Sequence, residues 1–201
     1  MEPSYLLEIN KAVLKELFKS EDNYEQLLYS RLISTKKRGS EWIIREPELR
    51  FAYCNFLNKQ KRFFKIEAPT VEYYKFTGKG RRKALTDLSL FEGNNRVLNI
   101  EFKEGQAPQK QFDKDIEKLM SENVDGLFFH LIHNKNKRTL KTLINKFNFA
   151  LESYWKKEHK VVGWLQFVIA IKIQKEIWHF TDTKSNIKRL DIHSFKQDRI
   201  M

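Results

Sequence analysis

A single cysteine in 201 residues excludes a disulfide framework and a cysteine-held zinc or iron–sulfur centre. That residue, Cys54, stands among Tyr53, Asn55 and Phe56, a setting that suits a buried, inert thiol. Glycine (7) and proline (4) are scarce, which excludes collagen-like and low-complexity chains. No apolar run reaches the roughly 18 residues that a membrane-spanning helix needs. The longest, over residues 161–173, is interrupted by Gln166 and Lys172. The first ten residues, MEPSYLLEIN, lack the basic region of a secretory signal. These absences point to a soluble cytoplasmic protein with no membrane partner.

Acidic side chains are also in deficit, 26 against 38 Lys and Arg, for a net charge of +12. A field of that sign favours polyanionic partners, nucleic acid first. The surplus is concentrated: residues 61–110 hold 11 basic and 6 acidic side chains, whereas residues 1–60 are nearly balanced. What is abundant is apolar and aromatic, 41% hydrophobic with 16 Phe, so a packed core is within reach.

Leu6, Leu7, Val13, Leu14, Leu17 and Phe18, then Leu27, Leu28, Leu32 and Ile33, recur at helical spacing. They predict an N-terminal helical extension over 1–40, ending in a basic loop over 34–40, packed on a domain over 41–201. Pro47 suits the first turn of a helix over 47–58. Residues 63–76 are β-branched and aromatic but contain Pro69, hence an edge strand or two short ones. Strands over 84–91 and 96–103 flank Glu92, Gly93, Asn94 and Asn95, a β-hairpin signal because Gly and Asn accept positive φ. A helix from Pro108 to about residue 120, a strand over 126–132, a helix over 139–157 and strands over 161–173 and 176–180 complete the order. The expectation is an α/β (α+β) fold, a mixed central sheet flanked by helices.

The hairpin carries the chemistry. With a period of two, Leu98, Ile100 and Phe102 share one face of their strand, and Asn99, Glu101 and Lys103 share the other. A turn centred near Asn94 makes paired positions sum to about 188, which sets Asp87 opposite Glu101, roughly 5 Å away between Cβ atoms. Two carboxylates so close repel unless a cation joins them, and a hard divalent ion, Mg²⁺ or Mn²⁺, prefers such oxygen ligands. Lys103 beside them could position water and offset charge on a phosphoryl transition state. Acidic residues also precede lysines at Glu158/Lys160 and Asp182/Lys184, but no acidic residue faces those pairs across a hairpin.

Thr86-Asp87, 13 intervening residues, then Glu101-Phe102-Lys103 on an apolar strand resembles the motif of the PD-(D/E)xK nuclease superfamily, the restriction-endonuclease-like fold. The resemblance covers about residues 46–134, with Thr86 in place of the motif's proline. It implies a divalent-metal-dependent nuclease acting on nucleic acid, DNA favoured over RNA. Asp87, Glu101 and the Phe102 backbone carbonyl would then be metal ligands and Lys103 the catalytic lysine. It also implies an upstream helical glutamate, for which Glu48 is the first candidate and Glu46 the next. Lys79, Arg81, Arg82 and Lys83, on the turn leading into the Asp87 strand, are candidate phosphate grips, as are Lys36, Lys37 and Arg38. Phe63, Phe64, Tyr73 and Tyr74 are expected to serve core or strand packing, not base stacking. The alternative function is a nuclease-like fold that binds nucleic acid or a protein partner without cutting. A second copy of the chain is also a candidate partner.

Overall fold

The structure is a computed structural model, and it describes residues 1–20, 31–35, 39–75, 80–134, 136–156 and 161–200. Among these residues the order is α1 (Pro3–Ser20), β1 (Arg31–Thr35), β2 (Gly39–Ile43), α2 (Glu46–Lys59), β3 (Phe63–Lys75), β4 (Arg81–Glu92) and β5 (Asn95–Glu104). It continues with α3 (Gln109–Ser121), β6 (Asp125–Ile132), α4 (Lys137–Trp155), β7 (Trp164–Ile171), β8 (Glu176–Thr183), a 3₁₀ turn (Ile192–Ser194) and β9 (Lys196–Arg199). Strands β3 to β9 form one open seven-stranded sheet in chain order; β5, β6 and β7 are parallel neighbours and every other adjacent pair is antiparallel.

That order decides which face each helix covers. The two parallel crossovers, through α3 and α4, advance across the sheet in the same direction, so crossovers of one hand place both helices on one face. There Phe112, Ile116, Leu119, Leu143 and Phe147 pack on Phe128, Phe167 and Ile169. Helices α1 and α2 cover the opposite face, where Leu6, Val13, Leu14, Leu49 and Tyr53 meet Leu88, Ile100, Phe102 and Phe129. A buried polar link joins α1 and α2 to β7: Tyr53 donates to Asn10, and Asn10 donates to Gln166 at 3.2 Å. Cys54 is buried and free.

The hairpin register follows from a turn and a bulge together. Gly93, at φ +59°, and Asn94 form a two-residue connection, so Glu92 pairs with Asn95 and the positions first sum to 187. Between Leu90 and Phe91 the register shifts, leaving Val97 as an extra residue on β5. From there Leu90 pairs with Leu98, Ser89 with Asn99 and Leu88 with Ile100, each summing to 188. The bulge thereby sets the expected register next to Asp87.

Several expectations are corrected. Leu32 and Ile33 lie in β1, not in a second helix, Leu27 and Leu28 lie outside the described residues, and Ser34, Thr35, Gly39 and Ser40 belong to the β1–β2 ladder, not to a loop. Helical spacing of leucines concealed a short segment whose Ile33 and Thr35 are β-branched. The N-terminal region is therefore one described helix and a hairpin. Of the four aromatics of β3, Phe63 and Tyr73 are 53% and 56% exposed on this edge strand and pack across it, Phe63 on Phe91 and Tyr73 under Lys83. The strand bulges between Pro69 and Tyr73, and the buried Glu122 carboxylate accepts the N–H groups of Val71 and Glu72 at 2.9 and 3.0 Å. A third C-terminal strand, β9, was not expected: its sequence KQDR has no apolar alternation, and it joins the edge through backbone pairing with β8.

Candidate active site

On β4 and β5 the residues that face α1 and α2 are apolar, so the intervening ones must face α3. Ser89 Oγ donates to Asn99 Oδ1 at 2.7 Å on that second face, and one step along it lie Asp87 and Glu101. Asp87 Oδ2 accepts the Phe102 N–H at 2.8 Å, which pins its carboxylate against the β5 backbone. The two carboxylates thus share a face, as the register argument expected. Little of the site meets solvent, however: Glu101 is fully buried and Lys103 is 8% exposed.

Helix α3 closes the site with two charges. Lys118 Nζ lies 2.6 Å from Glu101 Oε1 and 3.0 Å from Asp115 Oδ1, and it donates to the Leu85 carbonyl at 3.0 Å. Lys103 Nζ lies 2.9 Å from the other oxygen of Asp115 and 3.7 Å from Glu46, and it donates to the Phe102 carbonyl at 2.7 Å. Asp115 is therefore shared by two ammoniums, one on each oxygen. Glu46 is held over Lys103 because Glu104, at the end of β5, accepts from the Arg45 guanidinium and from the Glu46 N–H at the start of α2. Free N–H groups at a helix start favour such a carboxylate.

The charges do not balance. Glu46, Asp87, Glu101 and Asp115 surround Lys103 and Lys118, so the four carboxylates outnumber the two ammoniums by two when all are ionised. Burial, then the neighbouring Asp115, pushes Glu101 well above the usual carboxylate range against the pull of Lys118, and Asp87 adds to the rise. Burial would raise Asp115 too, but Lys118 and Lys103 hold it below its ordinary value. Burial works against the charge of both lysines, yet Asp115 with Glu46 raises Lys103, and Glu101 with Asp115 raises Lys118. Burial also lifts Glu46, opposed by Lys103 and reinforced by Asp87 and Asp115. Glu101 Oε2 has no hydrogen-bond partner among the described residues, an unusual state for a buried carboxylate oxygen.

The donor set is all oxygen, as Mg²⁺ or Mn²⁺ requires, and the unpartnered oxygen and surplus negative charge fit a divalent cation. The fit is incomplete in this arrangement. Among the described residues no group of three His, Cys, Asp or Glu side chains is gathered to hold a metal ion. Lys118 engages Glu101, and Lys103 engages the Phe102 carbonyl.

Of the residues read from sequence, Asp87, Glu101, Phe102 and Lys103 come together. The α2 carboxylate that reaches Lys103 is that of Glu46; Glu48, buried at 2% exposure, lies two positions on, about 200° around the helix axis. Arg81, Arg82 and Lys83 are exposed at the start of β4, six to four residues from Asp87, or about 20 Å at the far end. Lys36, Lys37, Arg38 and Lys79 lie outside the described residues. Asp115 and Lys118 were missed. Their signal was present: both interrupt the buried stripe of Phe112, Ile116 and Leu119 on α3.

Beside the cluster a cavity of about 460 Å³, lined by Arg45, Glu46, Lys103, Gln106 and Gln111 among others, reaches Lys103 from solvent. A larger cavity, about 780 Å³, lies between α4 and residues 189–193 and touches none of the charged cluster. The smaller one is the relevant one, because it meets the charged cluster at Lys103 and Glu46. Among the described residues no helix is long and apolar enough to cross a membrane. No family model, curated protein or solved structure matches this chain.

Proposed function

We propose that this chain is a divalent-metal-dependent nuclease of the PD-(D/E)xK type, hydrolysing phosphodiester bonds, with DNA the favoured substrate. The observation that carries the reading is the convergence of Asp87 and Glu101 on one sheet face beside Lys103, with Glu101 Oε2 lacking a hydrogen-bond partner. The order α2–β3–β4–β5–α3–β6, with the motif on the β4–β5 hairpin, supports a restriction-endonuclease-like fold. The net charge of +12 supports a polyanionic substrate.

Asp87, Glu101 and the Phe102 carbonyl would hold the cation. When bound, Mg²⁺ or Mn²⁺ supplies Lewis acidity at a phosphoryl oxygen and an acidified water. Lys103, kept protonated by Asp115 and Glu46, acts as a hydrogen-bond donor and a positive charge beside the reacting phosphate, not as a base. Asp115 positions that ammonium, and the cavity lined by Gln106 and Gln111 admits the phosphodiester.

The test is cleavage of supercoiled and linear DNA with Mg²⁺ or Mn²⁺, and with EDTA. Wild type should cut only with the cation. Asp87→Ala and Glu101→Ala should abolish cutting, and Lys103→Ala should slow it by roughly 10²-fold or more. Cutting by wild type and variants alike would move the chemistry elsewhere in the chain. A second reading, a nuclease-like fold that binds nucleic acid or protein without cutting, is favoured by the ion pairs that already engage Glu101 and Asp115. It takes over if no DNA or RNA is cut under any cation while DNA binding persists.

A further inference from the structure

We propose that Lys118 is the resident counter-cation of the site, so that a divalent cation binds in competition with its ammonium for the Glu101 carboxylate. This rests on the nuclease reading above and adds to it a control on cation binding. Three oxygens surround Lys118 Nζ within 3.0 Å: Glu101 Oε1, Asp115 Oδ1 and the Leu85 carbonyl. They come from β5, α3 and β4, so the ammonium joins the helix to both hairpin strands at the place where the sheet carries its unbalanced charge. A hard cation needs the same kind of surroundings, two carboxylates and a carbonyl.

The second observation is Glu101 Oε2. It is fully buried and has no hydrogen-bond partner among the described residues, and the lysine pairs with the other oxygen, Oε1, which leaves this side of the carboxylate unmet. One positive charge cannot neutralise Glu101 and Asp87 together, whereas a divalent ion can. The exchange is open to Lys118 because it need not lose every partner. Asp115 lies three residues earlier on the same helix, and its Oδ1 can keep the ammonium after Glu101 has been released. The lysine stem is flexible enough for such a move, which a stiffer side chain would not allow.

Displacement costs the free energy of the Glu101–Lys118 contact, so the lysine weakens cation affinity. Removing the ammonium while keeping the apolar stem should strengthen it. The experiment titrates MnCl₂ and MgCl₂ alone, without nucleic acid, into full-length wild type, Lys118→Met and Lys118→Arg, read by calorimetry and by the shift in melting temperature. Lys118→Met should bind Mn²⁺ at least roughly tenfold more tightly than wild type, since the interaction lost is a buried ion pair. Lys118→Arg should show no such gain. As a measurement independent of that variant's folding, Lys118 in wild type, only 4% exposed, should be acylated faster once Mn²⁺ is added, read by mass spectrometry.

The outcomes separate the two proposals. If wild type binds Mn²⁺ and Lys118→Met binds it no more tightly, the counter-cation role is overturned and the nuclease reading stands. Binding by Lys118→Met but not by wild type supports the role strongly. Absence of binding in both overturns this inference together with the metal site on which it rests. Should Lys118→Met fail to fold, unchanged acylation of Lys118 on adding a cation that wild type binds overturns it, and faster acylation supports it.

Discussion

The two faces of β5 are buried to the same degree and built from opposite chemistry. Toward α1 and α2, Leu98, Ile100 and Phe102 are fully buried among apolar side chains; toward α3, Asn99, Glu101 and Lys103 are 1%, 0% and 8% exposed. On the first face dispersion and loss of water contact supply the stability, and no residue depends on the charge of another. On the second, each charge is tolerable only because its neighbours are present: Glu101 needs Lys118, and Lys118 and Lys103 both need Asp115. A buried ionic network of this kind contributes little net stability against an apolar equivalent, so its presence calls for a functional reason. Burial by itself does not distinguish a core from a site. The satisfaction of polar groups does.

Substitutions on the two faces should fail in different ways. The largest effect belongs to Phe102→Ala, which empties the space between Tyr53 and Phe129, whose ring centroids lie 5.3 and 6.0 Å away. It should cost about 3–5 kcal/mol of unfolding free energy by denaturant titration, with little dependence on salt. Next comes Asp115→Asn, which leaves two buried ammoniums sharing one fewer carboxylate; about 3 kcal/mol should be lost. A loss under 1 kcal/mol would show that water or Glu46 and Glu101 compensate, and that Asp115 is not the centre of the network.

A third buried lysine sharpens the contrast. Lys184 Nζ donates to the carbonyls of Glu122 at 2.7 Å and Val124 at 2.6 Å. Carboxylates meet the ammoniums of Lys103 and Lys118, but carbonyls meet this one, and burial pulls its pKa down to about 8 from the ordinary 10.5. The folded state therefore disfavours the ammonium: the penalty is full below pH 8 and fades as the pH rises toward 10.5. Lys184→Met, which strands both carbonyls, should cost about 2 kcal/mol at neutral pH. Wild type should gain further over this variant in melts between pH 8 and 10. A difference that stays flat or shrinks over that range would mean that Lys184 stays charged through Asp125 and Glu122.

The smallest effect is expected at Glu101 itself. Glu101→Gln keeps the shape and removes a charge that burial already opposes, so stability should change by no more than about 1 kcal/mol in either direction. A loss of 3 kcal/mol or more would make the Glu101–Lys118 pair a structural clamp and weaken the case for a cation at that carboxylate.

How much of this was legible in the sequence varies by residue. The alternation through Leu98–Lys103 and the Gly93-Asn94 turn announced the hairpin and the shared face of Asp87 and Glu101, and the structure keeps both. The bulge at Val97 was not foreseen, although the register inferred near Asp87 includes its effect. For Glu46 against Glu48 the sequence offered two carboxylates on one helix turn, and the resemblance put Glu48 first, whereas Glu46 is the one beside Lys103. Glu104 made the choice for Lys103 by capping α2 from the end of β5.

The sequence by itself determined the local quantities: strand period, turn type, helix starts, and the charge surplus. Each arises from interactions between residues a few positions apart, so the pattern is printed in neighbouring letters. Only the tertiary structure decided that Asp115 and Lys118 meet Glu101, that Lys103 is enclosed, and that a polar segment such as β9 joins the sheet. Those outcomes depend on where a helix lands on a sheet and which edge lies free. A buried charge takes its partner from whatever element is packed over it, and separation along the chain does not reveal that partner.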